Sequence, residues 1–482
     1  MCCAYWLTQS GKSVVVLDDG PIAGGESGRT TAHLSNAIDD RYFQIERIHG
    51  ERAARICADS HTAAIAALER ITFDEKIDCE FQRLDGFLFL PPGESEDVLF
   101  KEMAAAHRAG LQGVERVFRV PAFDSGLALR FPDQAQFHPL KFIAGVAHVL
   151  ETKGCRIYTG THVDDIRTVE GRLGVQSKLG TVYAQSVIVA THSPFNDRVT
   201  MHTKQAAYRS YVIGARVPRG SITRALYWDT SDTSGDLDAS YHFVRLTSDL
   251  NDPDGSHELL LIGGEDHHTG DAGSDAPARW KRLEDWARPR FSSMEDVVQR
   301  WSGQVMEPVD GVAFIGLNPS GPPNVYIVTG DSGMGMTHGS IAGLLLTDLI
   351  LDRPNPWAEL YDPSRKPIHS LWDYTKENLR MAAQYADWVK PGESVESLEP
   401  GCGAVVRHGA KLVAVYRAET GELIENSAVC PHLGGIVRWN AAEKSWDCPC
   451  HGSRFDAMGH VLNGPSPCDL VAVESPEPVA AT

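Results

Sequence analysis

Two short glycine-containing segments near the end of the chain constrain its fold most, because their side chains must meet around a metal. The first segment is Cys430-Pro-His432-Leu-Gly-Gly435, and the second is Cys448-Pro-Cys-His451-Gly-Ser-Arg-Phe455. A third segment, Gly464-Pro-Ser-Pro467, follows them. The first two segments together offer paired thiolates and paired imidazoles, so the sequence predicts a metal site in the last part of the chain.

Two kinds of metal centre fit this ligand set. Zinc binds two Cys and two His in a tetrahedron, whereas a Rieske 2Fe-2S cluster has two His in place of two Cys on one iron. The extra proline-containing segment favours the cluster, because zinc fingers rarely add such a loop. Zinc stays open as the alternative at this stage.

Residues 392–482 resemble the Rieske domain. The resemblance implies that Cys430 and Cys448 are the thiolate ligands of the cluster and that His432 and His451 are its imidazole ligands. It also implies a potential above that of an all-cysteine cluster, because neutral imidazole lowers the negative charge.

The segments also depart from the respiratory Rieske type. Cys450 has Gly435 at the position of its disulfide partner, so that disulfide cannot form. Ser453 matches the hydroxyl that hydrogen-bonds a cluster sulfur, but Phe455 replaces a tyrosine. The sequence has no clear motif of two His and one carboxylate, which a mononuclear iron site requires, so ring hydroxylation is not expected.

The rest of the chain carries a second, distributed signal. Its pieces, in order, are Val14-Val-Val-Leu-Asp18, Gly24-Gly-Glu-Ser-Gly-Arg-Thr-Thr31, Ser186-Val-Ile-Val-Ala-Thr191, Trp301-Ser-Gly-Gln with Asp310-Gly311, and Gly330-Asp-Ser-Gly-Met-Gly-Met-Thr337. The ordered set resembles the FAD-dependent D-amino-acid oxidase and dehydrogenase family. The resemblance implies an α/β FAD-binding domain of Rossmann-like, glutathione-reductase type with an inserted antiparallel substrate sheet, followed here by a small all-β Rieske domain.

The same resemblance assigns cofactor contacts. It implies that Asp18 binds the adenosine ribose, that Val163 touches the adenine, and that the remaining contacts approach the pyrophosphate, ribityl chain and flavin. These contacts are Ser27, Gly28, Arg29, Thr30, Thr31, Ala190, Thr191, Gly330, Asp331, Gly333, Met334, Gly335, Met336 and Thr337. The alternative is that the glycines only make tight turns. Because no Cys lies between Cys155 and Cys402, we expect FAD to be bound non-covalently.

The first strand and glycine fingerprint of such a domain are expected to lie outside this sequence. Ser13-Val-Val-Val-Leu17, closed by Asp18, predicts a buried parallel strand with an acidic residue for the ribose. A glycine-rich turn normally comes about 20 residues before that acid, but the sequence given starts at Met1. We therefore expect a longer natural reading frame and weak FAD binding by the chain as given.

The pattern along the chain predicts two domains. Residues 1–391 form the oxidoreductase domain, with FAD-binding parts at about 1–71, 139–199 and 300–391 and a substrate part at about 72–138 and 200–299. Helices are expected from about Gln44 to Arg70, from Phe137 to Leu150 and from Ile368 to Trp388. Residues 389–401, rich in Pro, Gly, Ser and Glu, predict a linker before the Rieske domain at 392–482.

The substrate contacts are the least specified part of the sequence. The inserted sheet should form the roof over the flavin, which makes Tyr208, Tyr241 and Arg245 candidate catalytic residues, with Tyr227 and Trp228 nearby. Arg245 suits a bidentate contact with a carboxylate. An aromatic residue in a strand is, however, more often part of the core.

Composition excludes several classes of partner. The 482 residues carry a net charge of −19, which repels nucleic acid and anionic membranes. No run approaches the roughly 20 apolar residues of a membrane span, and no secretory signal is visible, so the expected compartment is the cytoplasm.

These features predict a dehydrogenase that oxidises an amine or amino-acid-like substrate. Electrons from FADH2 would pass to the Rieske cluster and then to an external acceptor. Two alternatives stay open: an electron-transfer or redox-sensing protein whose flavin half no longer turns over, and an oxygen-using amine oxidase with a structural Rieske domain.

Overall fold

The computed structural model describes residues 1–197, 199–230, 241–271, 276–366 and 370–473. Its helices are α1 (Cys2–Gln9), α2 (Tyr42–His49), α3 (Glu51–Asp74), α4 (Asp97–Arg108), α5 (Pro139–Thr152), α6 (Ala276–Ala287), α7 (Gly335–Ile350), α8 (Ala358–Tyr361) and α9 (Leu371–Gln384). The strands before residue 200 are β1 (Val15–Leu17), β2 (His33–Leu34), β3 (Gln82–Phe89), β4 (Glu115–Val117), β5 (Ala128–Gln136), β6 (Arg156–Tyr158), β7 (Asp165–Val169), β8 (Arg172–Ser177), β9 (Gly180–Ala184) and β10 (Val187–Val189). Those after it are β11 (Gln205–Pro218), β12 (Leu226–Asp229), β13 (His242–Ser248), β14 (His257–His268), β15 (Val297–Pro308), β16 (Phe314–Leu317), β17 (Val325–Thr329), β18 (Gly403–His408), β19 (Lys411–Arg417), β20 (Leu423–Ser427), β21 (Arg438–Asn440), β22 (Ser445–Asp447), β23 (Arg454–Asp456) and β24 (Val461–Asn463).

The parallel strands of the FAD-binding part form two separate sheets. Strand β1 pairs with β6, and β10 pairs with β17, which is also antiparallel to β16. The sequence predicts a buried first strand, but the residues of β1 are only half-buried. The reason is that side chains of both β1 and β10 border a large cavity.

Two of the predicted helices lie in this part of the chain. The helix expected from Gln44 to Arg70 is broken into α2 and α3 at Gly50, whose φ of 85° suits glycine. The helix expected from Phe137 to Leu150 is α5, which has Pro139 in its first turn. None of the helices in the described ranges is both long and apolar enough to cross a membrane.

A nine-stranded mixed sheet occupies most of the region that the sequence predicts as the substrate part. Its order is β15-β11-β14-β13-β12-β3-β5-β2, with β4 added beside β5. The predicted insertion supplies the antiparallel core of this sheet, and residues before 138 extend it. Helix α6 covers one face of the sheet over a buried apolar core that includes Tyr227 and Leu283. The opposite face borders the cavity through residues such as Tyr241 and Phe243.

The last part of the chain is all-β. A three-stranded sheet (β18-β19-β20) and a four-stranded sheet (β21-β22-β23-β24) pack around buried Trp446 and Phe455. The helix predicted from Ile368 to Trp388 is observed as α9 followed by a 3₁₀ turn at Tyr385–Val389, and Ile368 lies outside the described residues.

Candidate functional site

A cavity of about 1510 Å³ brings the predicted cofactor segments together. It exceeds the roughly 300–1,000 Å³ of an ordinary small-molecule pocket, so it has room for a dinucleotide and a substrate. The predicted cofactor contacts that line it are Asp18, Ser27, Arg29, Thr30, Thr31, Val163, Ala190, Thr191, Asp331, Gly333, Met334, Gly335 and Met336.

The other three predicted contacts lie behind the cavity wall and shape its loops. A Cβ on Gly28 would lie 2.5 Å from the Ala23 carbonyl oxygen, so glycine is required there by backbone packing. Gly330 has a φ of 71° and serves a turn. Thr337 is fully buried in α7. For Gly28 and Gly330 the tight-turn interpretation is therefore the better one.

Asp18 stands at the carboxyl end of β1, where the cavity begins. Its Oδ1 accepts a hydrogen bond from the Gly20 backbone nitrogen at 3.1 Å, and burial raises the pKa of its carboxyl group. The Asp18 carbonyl oxygen accepts from the Thr161 nitrogen at 2.8 Å, which brings Val163 to the same end. A carboxylate in this position can accept hydrogen bonds from ribose hydroxyls.

The N-terminus of α7 opens into the cavity. Its capping residue, Met334, makes no side-chain capping hydrogen bond, so the first N–H groups of the helix can face a ligand. The turn before the helix places Ser332 and Gly333 at φ values of 43° and 72°. These amides and the helix dipole favour negative charge, and together with Asp18 they fit the ribityl, flavin and ribose groups of FAD.

The structure separates the three predicted catalytic residues. Tyr241 and Tyr208 both line the cavity. The Tyr241 hydroxyl donates to Asp39 Oδ1 at 3.0 Å, and burial raises the pKa of Tyr208 far above its ordinary value. Arg245 does not line the cavity. It is buried beside Glu80, and burial lowers its pKa to about 9; contrary to the prediction, it is not placed to hold a substrate carboxylate.

Carboxyl groups occupy the cavity wall around Tyr241. Those that line it there are Asp39, Asp40, Asp266, Glu307 and Asp331. The Ser332 hydroxyl lies 2.8 Å from Asp40 Oδ2 and 2.7 Å from Glu307 Oε2. Burial, together with the charge of Asp40, raises the pKa of Glu307 well above its ordinary range. Burial likewise raises the pKa of Asp266 to about 6. Because five carboxyl groups line this wall, it favours a cationic ligand.

The two predicted metal-binding loops share one backbone pattern. The Cys430 nitrogen donates to Gly435 O at 2.8 Å, and the Gly434 nitrogen donates to Cys430 O at 3.0 Å. The second loop repeats this between Cys448 and Ser453 at 2.8 Å and between Gly452 and Cys448 at 3.0 Å. Each cysteine is thus held in a tight turn that presents its thiol to the other loop.

The four predicted ligands form two pairs. The rings of His432 and His451 have centroids 4.8 Å apart, and a hydrogen bond with the Cys448 thiol raises the pKa of Cys430 well above its ordinary value. Paired thiols and paired imidazoles fit the two irons of a Rieske cluster.

The departures from the respiratory type have clear structural reasons. A Cβ on Gly435 would lie 2.6 Å from the Cys450 sulfur, and Cys450 is a free cysteine. Phe455 is fully buried and pairs with Trp446 across strands β22 and β23. Ser453 Oγ accepts from the Ser466 nitrogen at 3.0 Å, which ties the proline-containing segment to the second ligand loop.

The ligand face of the Rieske part is docked on the flavin part. The ring of His202, which is only 4% exposed, lies 4.5 Å from the His432 ring and 5.6 Å from the His451 ring. Gln304 Nε2 donates to Gly452 O at 2.8 Å. A Cβ on Gly452 would lie 2.3 Å from the Ala207 Cβ, so the sheet approaches the second ligand loop closely.

A buried ion network completes this docking. The Glu443 carboxylate accepts hydrogen bonds from Arg209, Arg454 and Ser302. Although burial opposes ionisation, the two guanidinium groups hold the pKa of Glu443 below its ordinary value. Sequence reasoning missed these residues and His202. They have no local signal, because their partners are far away along the chain.

Comparison with known proteins decides the family of the flavin part. Residues 1–349 match the profile of the FAD dependent oxidoreductases. The chain belongs to this family. Residues 388–474 match the Rieske [2Fe-2S] domain. The protein is therefore an oxidoreductase whose family binds FAD, with a Rieske domain that binds a 2Fe-2S cluster.

One relative aligns with nearly the whole chain. The chain is 29% identical over 473 residues to YhfW of Bacillus subtilis (strain 168), which is named as a Rieske 2Fe-2S iron-sulfur protein, and the match covers 96% of this chain and 89% of that one.

Solved structures show the fold of the flavin part. Glycine oxidase from Geobacillus kaustophilus has 18% identity and a TM-score of 0.61, covering 76% of this chain and 95% of that one. L-proline dehydrogenase from P. horikoshii has 14% identity and a TM-score of 0.59, covering 76% and 94%. At these identities the likeness concerns the fold alone.

Proposed function

We propose that this protein is an FAD-dependent dehydrogenase that oxidises an amine or amino-acid-like substrate at a CH–NH bond and delivers the electrons to its own Rieske cluster. An external one-electron acceptor then reoxidises the cluster. The observation that carries this proposal is the docking of the Rieske ligand face on the flavin domain, with His202 against both ligand imidazoles. We place the domain boundary at about residue 392.

The residues of the cavity divide by role in this proposal. Asp18 holds the ribose and Val163 meets the adenine, while the loop Ser27–Thr31 and the turn Asp331–Met336 hold the pyrophosphate, ribityl chain and flavin. Bound FAD would take two electrons at once as a hydride, whereas a 2Fe-2S cluster carries them singly. Gly28, Gly330 and Thr337 support these loops from behind.

The wall around Tyr241 supports an amine as a group that is recognised. Asp39 and Asp266 line this wall. A carboxylate beside the reacting carbon can hold a substrate ammonium and accept its proton as the amine is prepared for oxidation. Tyr241 positions Asp39 through its hydroxyl group.

We propose a cytoplasmic location. None of the ten cysteines is paired in a disulfide, which is usual for proteins of a reducing compartment.

Rapid anaerobic mixing of the full-length protein with a panel of secondary amines and amino acids tests the proposal. A substrate should bleach the flavin absorbance first and produce the reduced-cluster signal second. In His432→Ala the flavin should still be bleached, but turnover with a one-electron acceptor should be lost. A cluster that stays oxidised while the flavin turns over on oxygen would support the oxidase alternative. A flavin that no amine reduces would support the redox-sensing alternative.

A further inference from the structure

Part of the Rieske domain lines the FAD cavity. The residues that do so belong to strand β24 and the segment after it, and they are Val461, Leu462, Asn463, Gly464, Ser466 and Pro467. We call residues 463–467 the Pro loop. The Pro loop faces the end of the cavity that carries Asp18 and the loop Gly24–Thr31, which is the end suited to the adenosine diphosphate half of FAD.

Direct contacts tie the Pro loop to this end of the cavity. Asn463 Nδ2 donates to Glu26 Oε1 at 3.0 Å, and the other oxygen of Glu26 accepts from the Gln304 nitrogen at 2.6 Å. Glu26 directly precedes Ser27 in the predicted pyrophosphate loop. On the other side, a ring nitrogen of His162 lies 3.1 Å from Pro467 O, and His162 adjoins Val163.

The Pro loop also reaches the second ligand loop of the cluster. The Ser466 nitrogen donates to Ser453 Oγ at 3.0 Å, and Ser453 lies two residues after His451. The same short segment therefore touches a wall of the FAD cavity with one side and the cluster-binding loop with the other.

We propose that the Pro loop is part of the FAD-binding site. It closes the cavity over the adenosine diphosphate half of the cofactor and links FAD occupancy to the cluster through Ser466 and Ser453. The proposal rests on FAD being the cofactor and not on which substrate is oxidised. Linkage is reciprocal for binding free energies, so a loaded cluster must change the affinity for FAD by the same factor by which bound FAD changes the affinity for the cluster.

FAD binding by the full-length, cluster-loaded protein tests the first part. FAD fluorescence on serial dilution gives the dissociation constant. Asn463→Ala should raise it, because the Pro loop is then no longer held by Glu26 against this end of the cavity. His460→Ala is the matched control, because His460 lies exposed in the turn between β23 and β24 and does not line the cavity. The FAD dissociation constant of His460→Ala should equal that of the unsubstituted protein.

A variant on the flavin side keeps the test independent of Rieske folding. His162→Phe removes the contact with Pro467 without altering the Rieske domain, and it should also weaken FAD binding. The electron paramagnetic resonance spectrum of the reduced cluster should differ with and without FAD in the unsubstituted protein. That difference should shrink in both Asn463→Ala and His162→Phe.

Two results would overturn the proposal. One is an FAD dissociation constant unchanged in Asn463→Ala or His162→Phe while the cluster is retained. The other is an equal weakening in His460→Ala, which would mean a general loss of order. If the spectrum of the reduced cluster in the unsubstituted protein is the same with and without FAD, the coupling is refuted.

Discussion

Removing Glu443 should release the Rieske domain from the flavin domain. Its side chain is 13% exposed, and its partners Arg209 and Arg454 are 1% and 2% exposed. In Glu443→Ala the Arg209 guanidinium keeps Ser302 as a partner, while Arg454 keeps Asp447 at 3.0 Å. Breaking a buried pair by removing one partner destabilises by about 3–5 kcal/mol. Since about 1.4 kcal/mol is a factor of ten, the docked state should lose a factor of about 10² to 10⁴.

Proteolysis measures this loss directly. The linker around residue 393 is held by backbone contacts, among them the Glu393 nitrogen donating to Val405 O at 2.9 Å, and cleavage there should follow the population of the undocked state when opening is fast. We expect Glu443→Ala to be cut much faster than the unsubstituted protein while its cluster absorbance is retained. Glu419→Ala is the control, because Glu419 pairs with Lys444 at 2.9 Å on the exposed surface of the same domain. Equal cleavage of Glu443→Ala and the unsubstituted protein would refute the reasoning.

The same network predicts the pH dependence of docking. Because the folded-state pKa of Glu443 lies below its ordinary value, its contribution is fully present above the unfolded pKa of about 4.3. The contribution should be lost as the pH falls through the lower, folded-state pKa. Cleavage of the unsubstituted protein should therefore not change between pH 6 and 8. Acceleration in that range would place the sensitive group elsewhere.

Three further predictions concern the cofactor sites. In rapid mixing, His202→Ala should slow reduction of the cluster by the flavin without slowing reduction of the flavin by substrate. The control is Tyr385→Phe, which removes only a contact with Leu433 O at 2.8 Å. It should change neither of these two rates. Phe455→Tyr should raise the cluster potential in a redox titration by about 40 mV, if its hydroxyl donates one hydrogen bond of about 1 kcal/mol to a cluster sulfur; an unchanged potential would mean that no such bond forms. For a cationic substrate, kcat/KM should fall about tenfold per pH unit below the Asp266 pKa of about 6. In Asp266→Asn this decrease at low pH should be absent.

The local motifs were predictable from sequence because their geometry is local. The repeated turn around Cys430 and Cys448 needs only a glycine four residues after each cysteine, and both glycines have positive φ. Helix α7 could be predicted from the glycine-rich segment at its start. The same segment leaves the N-terminus of the helix open to the cavity. For Gly28 the sequence leaves both interpretations open, because a glycine beside a ligand and a glycine beside a backbone carbonyl look identical in sequence.

The long-range part of the site could not be predicted. The sequence favours Arg245 as a substrate contact because an arginine can hold a carboxylate. Only the register of β13 with β14, however, decides which residues of β13 reach the cavity. The carboxyl groups that do line it come from segments as distant as Asp39, Asp266 and Asp331. No spacing rule connects them, so their convergence depends on the tertiary fold.

The docked position of the Rieske domain bears on how electrons leave the cluster. A Rieske domain that follows a linker could also move between flavin and acceptor. In the structure His451 is only 6% exposed, and undocking would leave Arg209 without Glu443 and His202 without both ligand rings. For the proposed function this favours a domain that stays docked during turnover. The acceptor would then approach the outer side of the first ligand loop, where Leu433 is 37% exposed, and a cross-link that fixes the docked state should leave turnover with one-electron acceptors intact.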